Sequence, residues 1–477
     1  MADLRQFKNM SWASFTKVFI CIGTFLGCLS TANAANTSPD DHRTTLDPDF
    51  ERFVIEKRAL VKQLSEKHEV TVPPIVWSFF DAAQKGDWQT TSNQFRKIEA
   101  GTGRQGGDAW ISLSIWGPMH DTFGAYEQFH SWNPQLLHRF GDTIMQKVPA
   151  GSIYFGGTDA GRFVVSALSA SHSEGRPFFT LTQNALADAS YLDYLRDIYG
   201  TKIYVPTIED SRRVFQDYLA DAQKRLEKNQ LKEGESIKMV DGRLQVSGVV
   251  AVMAISELLV RVIIDKNPSH EIYLEESYAL ESLYGQSLPH GLIFKVNHQS
   301  LEQVPRPIVE ADHQFWTDQC RALIGNVVQD GTSVPELCSW SERVFLHPES
   351  GGFEGNPAYV KDAQAPQYYS QCRSAIAAYY QWWSKKSEKS QSAGLTKEAD
   401  FAYRQSVALS PYNPTVVWRY AEYLLQNQRT NDAKVLIETT LRIDPEKRMD
   451  IDSDQFKSAV KKLRAEARRF SVNGDKQ

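Results

Sequence analysis

An apolar strand runs into a glycine-rich loop that ends in an aspartate and an arginine. Ile153, Tyr154 and Phe155 form the short apolar run that is typical of a buried strand. The loop residues that this pattern makes candidates for ligand contact are Gly156, Gly157, Thr158, Asp159 and Arg162. Because glycine lets bare backbone approach a ligand, and strand ends carry the chemistry of many α/β domains, the segment predicts a ligand-binding loop.

Asp159 has two interpretations. Its carboxylate can contact a ligand, by orienting a hydroxyl, binding a metal or acting as a base. It can equally cap the helix that follows, since aspartate is a favoured N-cap residue. The glycines of the loop lack the G-x-G-x-x-G spacing, and no Walker, G-x-S-x-G or H-E-x-x-H motif occurs, so no cofactor and no metal site is predicted.

Polar side chains also follow two other predicted strands. Gln183 and Asn184 come after the strand that ends at Thr182, and Glu275 comes after the strand that ends at Leu274. In a parallel sheet these ends converge on one edge, where ligands usually bind. Amide and carboxylate groups suit sugar hydroxyls, but they also commonly satisfy loop backbone, and both interpretations stay open.

Strands and helices alternate through residues 131–300, with short links between them. This order predicts an α/β domain with a mostly parallel, helix-covered sheet. The pattern also predicts a strand at 203–205 and a hairpin around Asp241 and Gly242. Residues 50–130 are expected to be helical, with a helical hairpin that turns at 86–88, and residues 301–366 form a helical linker region.

The C-terminal residues 367–477 repeat with a fixed period. Pro411 and Pro445 are 34 residues apart (445 − 411), as are Ala399 and Ala433 (433 − 399). This spacing resembles the tetratricopeptide repeat (TPR), in which small residues let paired helices pack closely. The resemblance implies either a structural appendage or a groove for a protein or peptide partner. Two units fall short of the roughly three needed for independent stability, so the helices are expected to dock on the α/β domain.

A second resemblance concerns the order of segments from Leu136 to Val296. Phe155, Asp159 and Phe163 are spaced as in the soluble region that follows the membrane part of bacterial protein O-mannosyltransferase-like proteins. An Asn-led turn into a helix at 184–194 and the later strands are similar too. The resemblance implies a carbohydrate ligand and, if the protein is an enzyme, glycosyltransferase-like chemistry.

The N-terminal residues read as an export segment. Basic residues precede an apolar run at 18–29, and Ala32-Asn33-Ala34 supplies a small-x-small site, so 1–34 is predicted to be a signal peptide cleaved after Ala34. Residues 35–49 would be a flexible leader. A rival interpretation is lipidation at Cys28. The mature protein is therefore expected in the periplasm or cell envelope, with membrane contact only if Cys28 is lipidated.

Composition sets further limits. The chain has 477 residues, a net charge of −5 and no long basic run, so nucleic-acid binding has no electrostatic support. Cys320, Cys338 and Cys372 follow the export segment. Export permits a disulfide, with Cys320 and Cys338 as the nearest pair, and buried free thiols are the alternative.

These features predict an exported α/β protein with TPR-like helices that acts as a binding or assembly module at the bacterial cell envelope. The alternative is an enzyme or accessory factor of glycan chemistry that uses the loop around Asp159. Whether the protein catalyses a reaction stays open, because no complete catalytic motif is present.

Overall fold

The computed structural model describes residues 46–103, 110–232, 235–240, 243–346, 352–443, 461–466 and 468–470. The predicted export segment and Pro445 lie outside this range. The chain divides into two compact units, and the smaller one contains residues 182–269. Among the described residues, no helix has the length and apolarity needed to cross a membrane.

Helices dominate the described residues. In chain order they are α1 (Pro48–Lys67), α2 (Pro74–Gln84), α3 (Trp88–Gly101), α4 (Trp116–Ser131), α5 (Pro134–Met145), α6 (Val165–Leu168), α7 (Ala189–Tyr199), α8 (Ile208–Glu227), α9 (Val249–Lys266), α10 (Glu281–Tyr284), α11 (Arg306–Ile324), α12 (Val334–Leu346), α13 (Pro357–Lys361), α14 (Ala365–Lys386), α15 (Lys389–Leu409), α16 (Pro414–Gln426) and α17 (Thr430–Ile443). The strands are β1 (Ile153–Gly156), β2 (Phe179–Thr182), β3 (Ser236–Val240), β4 (Arg243–Ser247), β5 (Ile272–Leu274), β6 (Ser287–His290) and β7 (Ile293–Val296). The chain is therefore a mostly helical α/β protein.

The N-terminal helices of the larger unit include the predicted hairpin, formed by α2 and α3. Phe79 and Phe95 meet across it, with ring centres 6.0 Å apart. Helix α4 lies within the region predicted to be helical, although it contains Gly117 and Pro118. Both fall in its first turn, where a missing backbone N–H leaves no helical hydrogen bond unmade.

The five-stranded sheet has the order β2-β1-β5-β7-β6 and is mixed. Strands β1 and β5 are parallel, with Ile153 opposite Ile272. Strand β7 is antiparallel to both β5 and β6. The prediction of a mostly parallel sheet was therefore wrong for the pairings of β5 with β7 and of β7 with β6. Gly291, with a φ of +75°, turns the chain directly from β6 into β7, so no helical crossover separates them.

Strand β6 was missed because it contains Pro289. Proline has no backbone N–H to give to a ladder and is usually confined to sheet edges. Strand β6 lies at the edge of the sheet, and only β7 pairs with it. Pro289, which has no backbone N–H to donate, is therefore tolerated at this edge.

The smaller unit contains helices α7, α8 and α9 and the predicted hairpin of β3 and β4, in which Val240 lies opposite Arg243. The strand expected at 203–205 does not form. Instead the side chain of Asn267 accepts the N–H of Tyr204 at 2.8 Å and donates to its carbonyl at 3.0 Å. A side-chain amide thus takes the place of a neighbouring strand.

The C-terminal helices dock on the sheet part of the larger unit, as expected. The Tyr379 hydroxyl on α14 donates to the carbonyl of Ser287 at 2.7 Å, and the Trp383 indole donates to the carbonyl of Tyr284 at 3.1 Å. Ala399 and Ala433 are completely buried. The face of α14 that carries Tyr379 and Trp383 is therefore covered by residues next to and within strand β6.

The three described cysteines are unpaired. Cys320, Cys338 and Cys372 are each buried free thiols, so the disulfide considered between Cys320 and Cys338 does not form. Burial raises the pKa of Cys320 to about 12. These side chains therefore pack as small apolar groups.

Candidate functional site

The glycine-rich loop after β1 closes around the carboxylate of Glu275. The backbone N–H groups of Gly157 and Thr158 donate to Oε2 at 2.8 and 2.7 Å. The Thr158 hydroxyl donates to Oε1 at 2.6 Å. Because Glu275 follows β5, the parallel neighbour of β1, the loop and the glutamate meet at the same sheet edge. The sequence predicted this convergence but not the direct bond.

The loop glycines make room for this contact. A Cβ on Gly161 would lie 1.8 Å from Oε2 of Glu275. A Cβ on Gly156 would lie 2.8 Å from the Cα of Arg162. The bare backbone of Gly157 and Thr158, assigned from the sequence to an external ligand, is therefore occupied by a side chain of the protein itself.

Glu275 is completely buried. Burial raises its pKa, against the hydrogen bonds from Thr158 and Gly157, which favour the ionised form. The thiol of Cys372 lies 3.9 Å from Oε1. Burial and the nearby Glu275 carboxylate raise the pKa of Cys372 well above its usual value, so this sulfur stays a thiol.

Asp159 does not cap the helix that follows. The Thr158 hydroxyl accepts the N–H of Gly161 at 2.9 Å and so fills that role. No capping hydrogen bond reaches the Asp159 side chain, and residues Ala160–Val164 form a π-helical turn that leads into α6. The interpretation of Asp159 as the helix cap was therefore wrong, because the preceding residue, Thr158, is the cap.

Asp159 instead pairs with Arg162. Nε and Nη2 of Arg162 donate to the same oxygen, Oδ1, at 3.1 and 2.7 Å. The Asp159 side chain is 25% exposed, whereas the Arg162 side chain is 8% exposed. The other carboxylate oxygen, Oδ2, is left available to a further donor.

His120 and Tyr368 lie within electrostatic range of this pair. Burial and the positive charge of Arg162 lower the pKa of His120 to about 4, so its ring is neutral at pH 7. Burial and the charges of Asp159 and Glu127 raise the pKa of Tyr368 well above its usual value. The surroundings of the Asp159–Arg162 pair therefore include a neutral imidazole, a neutral phenol and a further carboxylate, Glu127.

Aromatic rings flank these groups. The Phe163 ring centre lies 4.2 Å from the guanidinium carbon of Arg162 and 5.5 Å from the ring centre of His120. Tyr368 stacks on Trp132 at 5.3 Å. The sequence analysis missed both His120, on helix α4, and Tyr368, on helix α14, because both are distant from the loop in the chain.

Gln183 and Asn184 lie in a different compact unit from the loop. They form a short 3-10 turn after β2, and both are buried. Among the described residues, neither polar atom of the Gln183 amide has a hydrogen-bond partner, and the same holds for the Asn184 oxygen. Asp159, Arg162 and Glu275 belong to the larger unit, whereas these two amides belong to the smaller one.

Asp47, Asp49 and His138 bring three metal-ligand atoms within 4.8 Å of one another. Each side chain already has a structural partner. Asp47 caps α1 and bonds to His138 at 2.8 Å, and Asp49 pairs with Arg52. These contacts hold the first turn of helix α1 in place, so the three side chains have a structural role.

A second charged cluster is sealed inside the larger unit. The Lys57 ammonium donates to Asp121 Oδ2 at 2.8 Å and lies 2.6 Å from His172 Nδ1. Although burial opposes ionisation, Lys57 and His172 lower the pKa of Asp121 to about 2. Burial and Lys57 lower the pKa of His172 to about 4. Because Lys57 is fully buried, this cluster joins helices α1 and α4 and is not a ligand site.

Comparisons of the chain with protein-family models, curated proteins and solved structures gave no match. Function must therefore be inferred from the geometry of the site itself.

Proposed function

We propose that the protein is an exported binding module of the bacterial cell envelope that recognises a carbohydrate at the Asp159–Arg162 pair. The observation that carries this proposal is that the Asp159 carboxylate is neither the helix cap nor fully occupied by Arg162. Thr158 supplies the cap, and Arg162 occupies only Oδ1. The Asp159 side chain is partly exposed, and in the described part of the chain no hydrogen bond reaches its Oδ2.

The chemistry of this pair suits a neutral polyol. Sugar hydroxyls both donate and accept hydrogen bonds, so they match a carboxylate acceptor next to a guanidinium donor. Neutral His120 and Tyr368 add donors and acceptors without further charge. The rings of Phe163 and Trp132 are buried, and they pack against Arg162 and Tyr368.

Binding is favoured over glycoside hydrolysis by Asp159 and Glu275. Two-carboxylate mechanisms need a second acid that reaches the substrate. Glu275, the other carboxylate predicted for this site, is enclosed by three hydrogen bonds from the loop. Glu275 is therefore not available as the second carboxylate of a hydrolytic pair with Asp159.

We also propose that the C-terminal helix pairs are TPR-like and that the N-terminal segment directs export. The 34-residue spacing and the burial of Ala399 and Ala433 support the repeat. Because much of α14 is covered, a protein or peptide partner would have to use the remaining surface of α16 and its neighbours.

The test is binding to an array of bacterial and neutral oligosaccharides. Asp159→Ala is expected to abolish binding while the melting temperature falls by only a few degrees, through the loss of the Arg162 partner. Asp81→Ala is the matched control, because Asp81 also pairs with an arginine, Arg58, but on an exposed surface. A parent protein that binds no glycan, or an Asp159→Ala variant that binds normally, contradicts the proposal.

A further inference from the structure

Arg373 on helix α14 is a buried cation whose hydrogen bonds are only partly made within the protein. Its Nε donates to Oε1 of Gln405 on α15 at 2.7 Å, and its Nη1 donates to Oδ2 of Asp312 on α11 at 2.7 Å. The Arg373 side chain is 0% exposed, and that of Asp312 is 1% exposed. The third nitrogen of the guanidinium, Nη2, has no hydrogen-bond partner among the described residues. Its two N–H groups are therefore unused.

The Asp312 carboxylate has the complementary deficit. Oδ2 accepts two hydrogen bonds, from Nη1 of Arg373 and from the Tyr380 hydroxyl at 2.9 Å. Oδ1 accepts none from the described residues. Guanidinium–carboxylate pairs frequently form two parallel hydrogen bonds, and a buried ion pair is stable only when its remaining donors and acceptors are satisfied. Here the second bond, from Nη2 to Oδ1, is not made, so an unused donor and an unused acceptor lie on the two members of one ion pair.

Two further donors beside this ion pair are unused. Because arginine only donates, the Gln405 atom that faces Arg373 is the oxygen, and the amide nitrogen is directed elsewhere. That nitrogen has no partner among the described residues, and neither has the indole N–H of Trp316. The Trp316 ring centre lies 5.2 Å from the guanidinium carbon of Arg373. Both Gln405 and Trp316 are completely buried, so bulk solvent does not reach these donors.

Arg404, also on α15, shows that this fold can satisfy a buried guanidinium with protein atoms alone. Its Nε donates to Asp400 at 3.0 Å. Its Nη1 and Nη2 donate to three backbone carbonyls in the segment 329–332, at 2.7, 2.9 and 3.3 Å. All three nitrogens of Arg404 are therefore bonded within the protein, whereas Arg373 keeps one nitrogen that no described residue reaches.

We propose that Arg373 and Asp312 hold an internal water molecule, which accepts a hydrogen bond from Nη2 and donates one to Oδ1. A species that serves both atoms must accept from a cation and donate to an anion. A chloride ion can only accept, and an ammonium or metal ion cannot accept, so neither kind of ion serves both. Water does both, and it is small enough to be enclosed by fully buried side chains.

This water links α11 to α14 beside their contact with α15. Internal waters typically make about three hydrogen bonds, and the Gln405 amide nitrogen and the Trp316 indole are further donors in the same surroundings. The site is independent of the carbohydrate proposal, because it shares no residue with it. Its role is to complete a buried polar network between the linker helix and the C-terminal helices.

The test is a crystal structure of the whole protein at about 1.8 Å resolution or better. An ordered water oxygen is expected at about 2.6–3.2 Å from both Nη2 of Arg373 and Oδ1 of Asp312. Arg404 is the internal control, since no water is expected between its guanidinium and Asp400. The proposal is overturned by a direct bond from Nη2 to Oδ1, by an ion or a larger ligand between the two side chains, or by the lack of any ordered solvent there.

A measurement in solution gives a second, separate answer. Oxygen-17 magnetic relaxation dispersion counts the long-lived internal waters of a protein. The triple variant Arg373→Met/Asp312→Leu/Gln405→Met replaces the polar network with apolar side chains, a change that buried ion pairs often tolerate. It is expected to lower the count by at least one, and an unchanged count contradicts the proposal.

The matched control for the triple variant is Arg321→Met/Asp318→Leu. It removes another Arg–Asp pair of α11, whose side chains are 56% and 53% exposed, and is expected to leave the count unchanged. An equal decrease in the control would show that the lost water does not belong to the buried network and would contradict the proposal. If the triple variant does not fold, the crystal structure of the parent protein decides alone.

Discussion

The hydroxyl of Thr158 donates a 2.6 Å hydrogen bond to the carboxylate of Glu275, 117 residues further along the chain. The same hydroxyl oxygen accepts the N–H of Gly161. One side chain thus starts the π-helical turn after β1 and ties it to the end of β5. This link explains why the loop is glycine-rich although its backbone holds no external ligand.

Replacing Thr158 with alanine is expected to destabilise the protein by about 2 kcal/mol, because it removes a cap and leaves a buried carboxylate short of one donor. Asp159→Ala should cost less, about 1 kcal/mol, because it removes no cap but leaves the Arg162 guanidinium without its carboxylate partner. Denaturant unfolding of both variants measures the difference. Equal losses would return the capping role to Asp159.

Gly161→Ala is expected to destabilise the protein by about 2–3 kcal/mol, because the new methyl group would collide with the Glu275 carboxylate. Gly394 lies within helix α15, and a Cβ there would meet nothing within 4 Å. Gly394→Ala should therefore be stabilising by up to about 1 kcal/mol. Calorimetric melting temperatures that move in the same direction for both variants would contradict this account of the loop.

Lys57→Met is expected to cost about 3–5 kcal/mol, because it strands the buried Asp121 carboxylate without its cation. The neighbouring Arg58 pairs with Asp81, whose side chain is 51% exposed. Arg58→Met should therefore cost less than about 1 kcal/mol. Chemical denaturation distinguishes the two, and a loss below about 1 kcal/mol for Lys57→Met would show that the cluster is not a source of stability.

Glu276 is expected to make stability depend on pH. Burial raises its folded-state pKa to about 7, above the ordinary value of 4.5, so the folded protein holds this proton more tightly than the unfolded chain. Its contribution is complete below about pH 4.5 and is lost as pH rises through about 7, a change of up to about 3 kcal/mol. Unfolding measured at about pH 5 and pH 8 should show a smaller decrease in Glu276→Gln than in the parent. Parallel pH profiles for the two proteins would refute the assignment.

Most helices could be predicted from the sequence, since apolar periodicity and turn residues are local signals. Strands β1, β2 and β5 and the hairpin of β3 and β4 were also predicted. The strand expected at 203–205 failed because Asn267 supplies its hydrogen bonds, and β6 was missed because an edge position tolerates Pro289. Whether an extended segment joins a sheet depends on which neighbour reaches its backbone, and local sequence does not contain that information.

For the candidate site, the sequence by itself determined that a strand ends in a flexible-backbone loop bearing Asp159 and Arg162, three positions apart, where a helical turn brings their side chains together. The tertiary structure decided what the loop holds. Only the parallel pairing of β1 with β5 brings Glu275 to the N–H groups of Gly157 and Thr158. Once that buried carboxylate needed donors, the loop backbone was committed to it, and Asp159 was left as the group that faces outward.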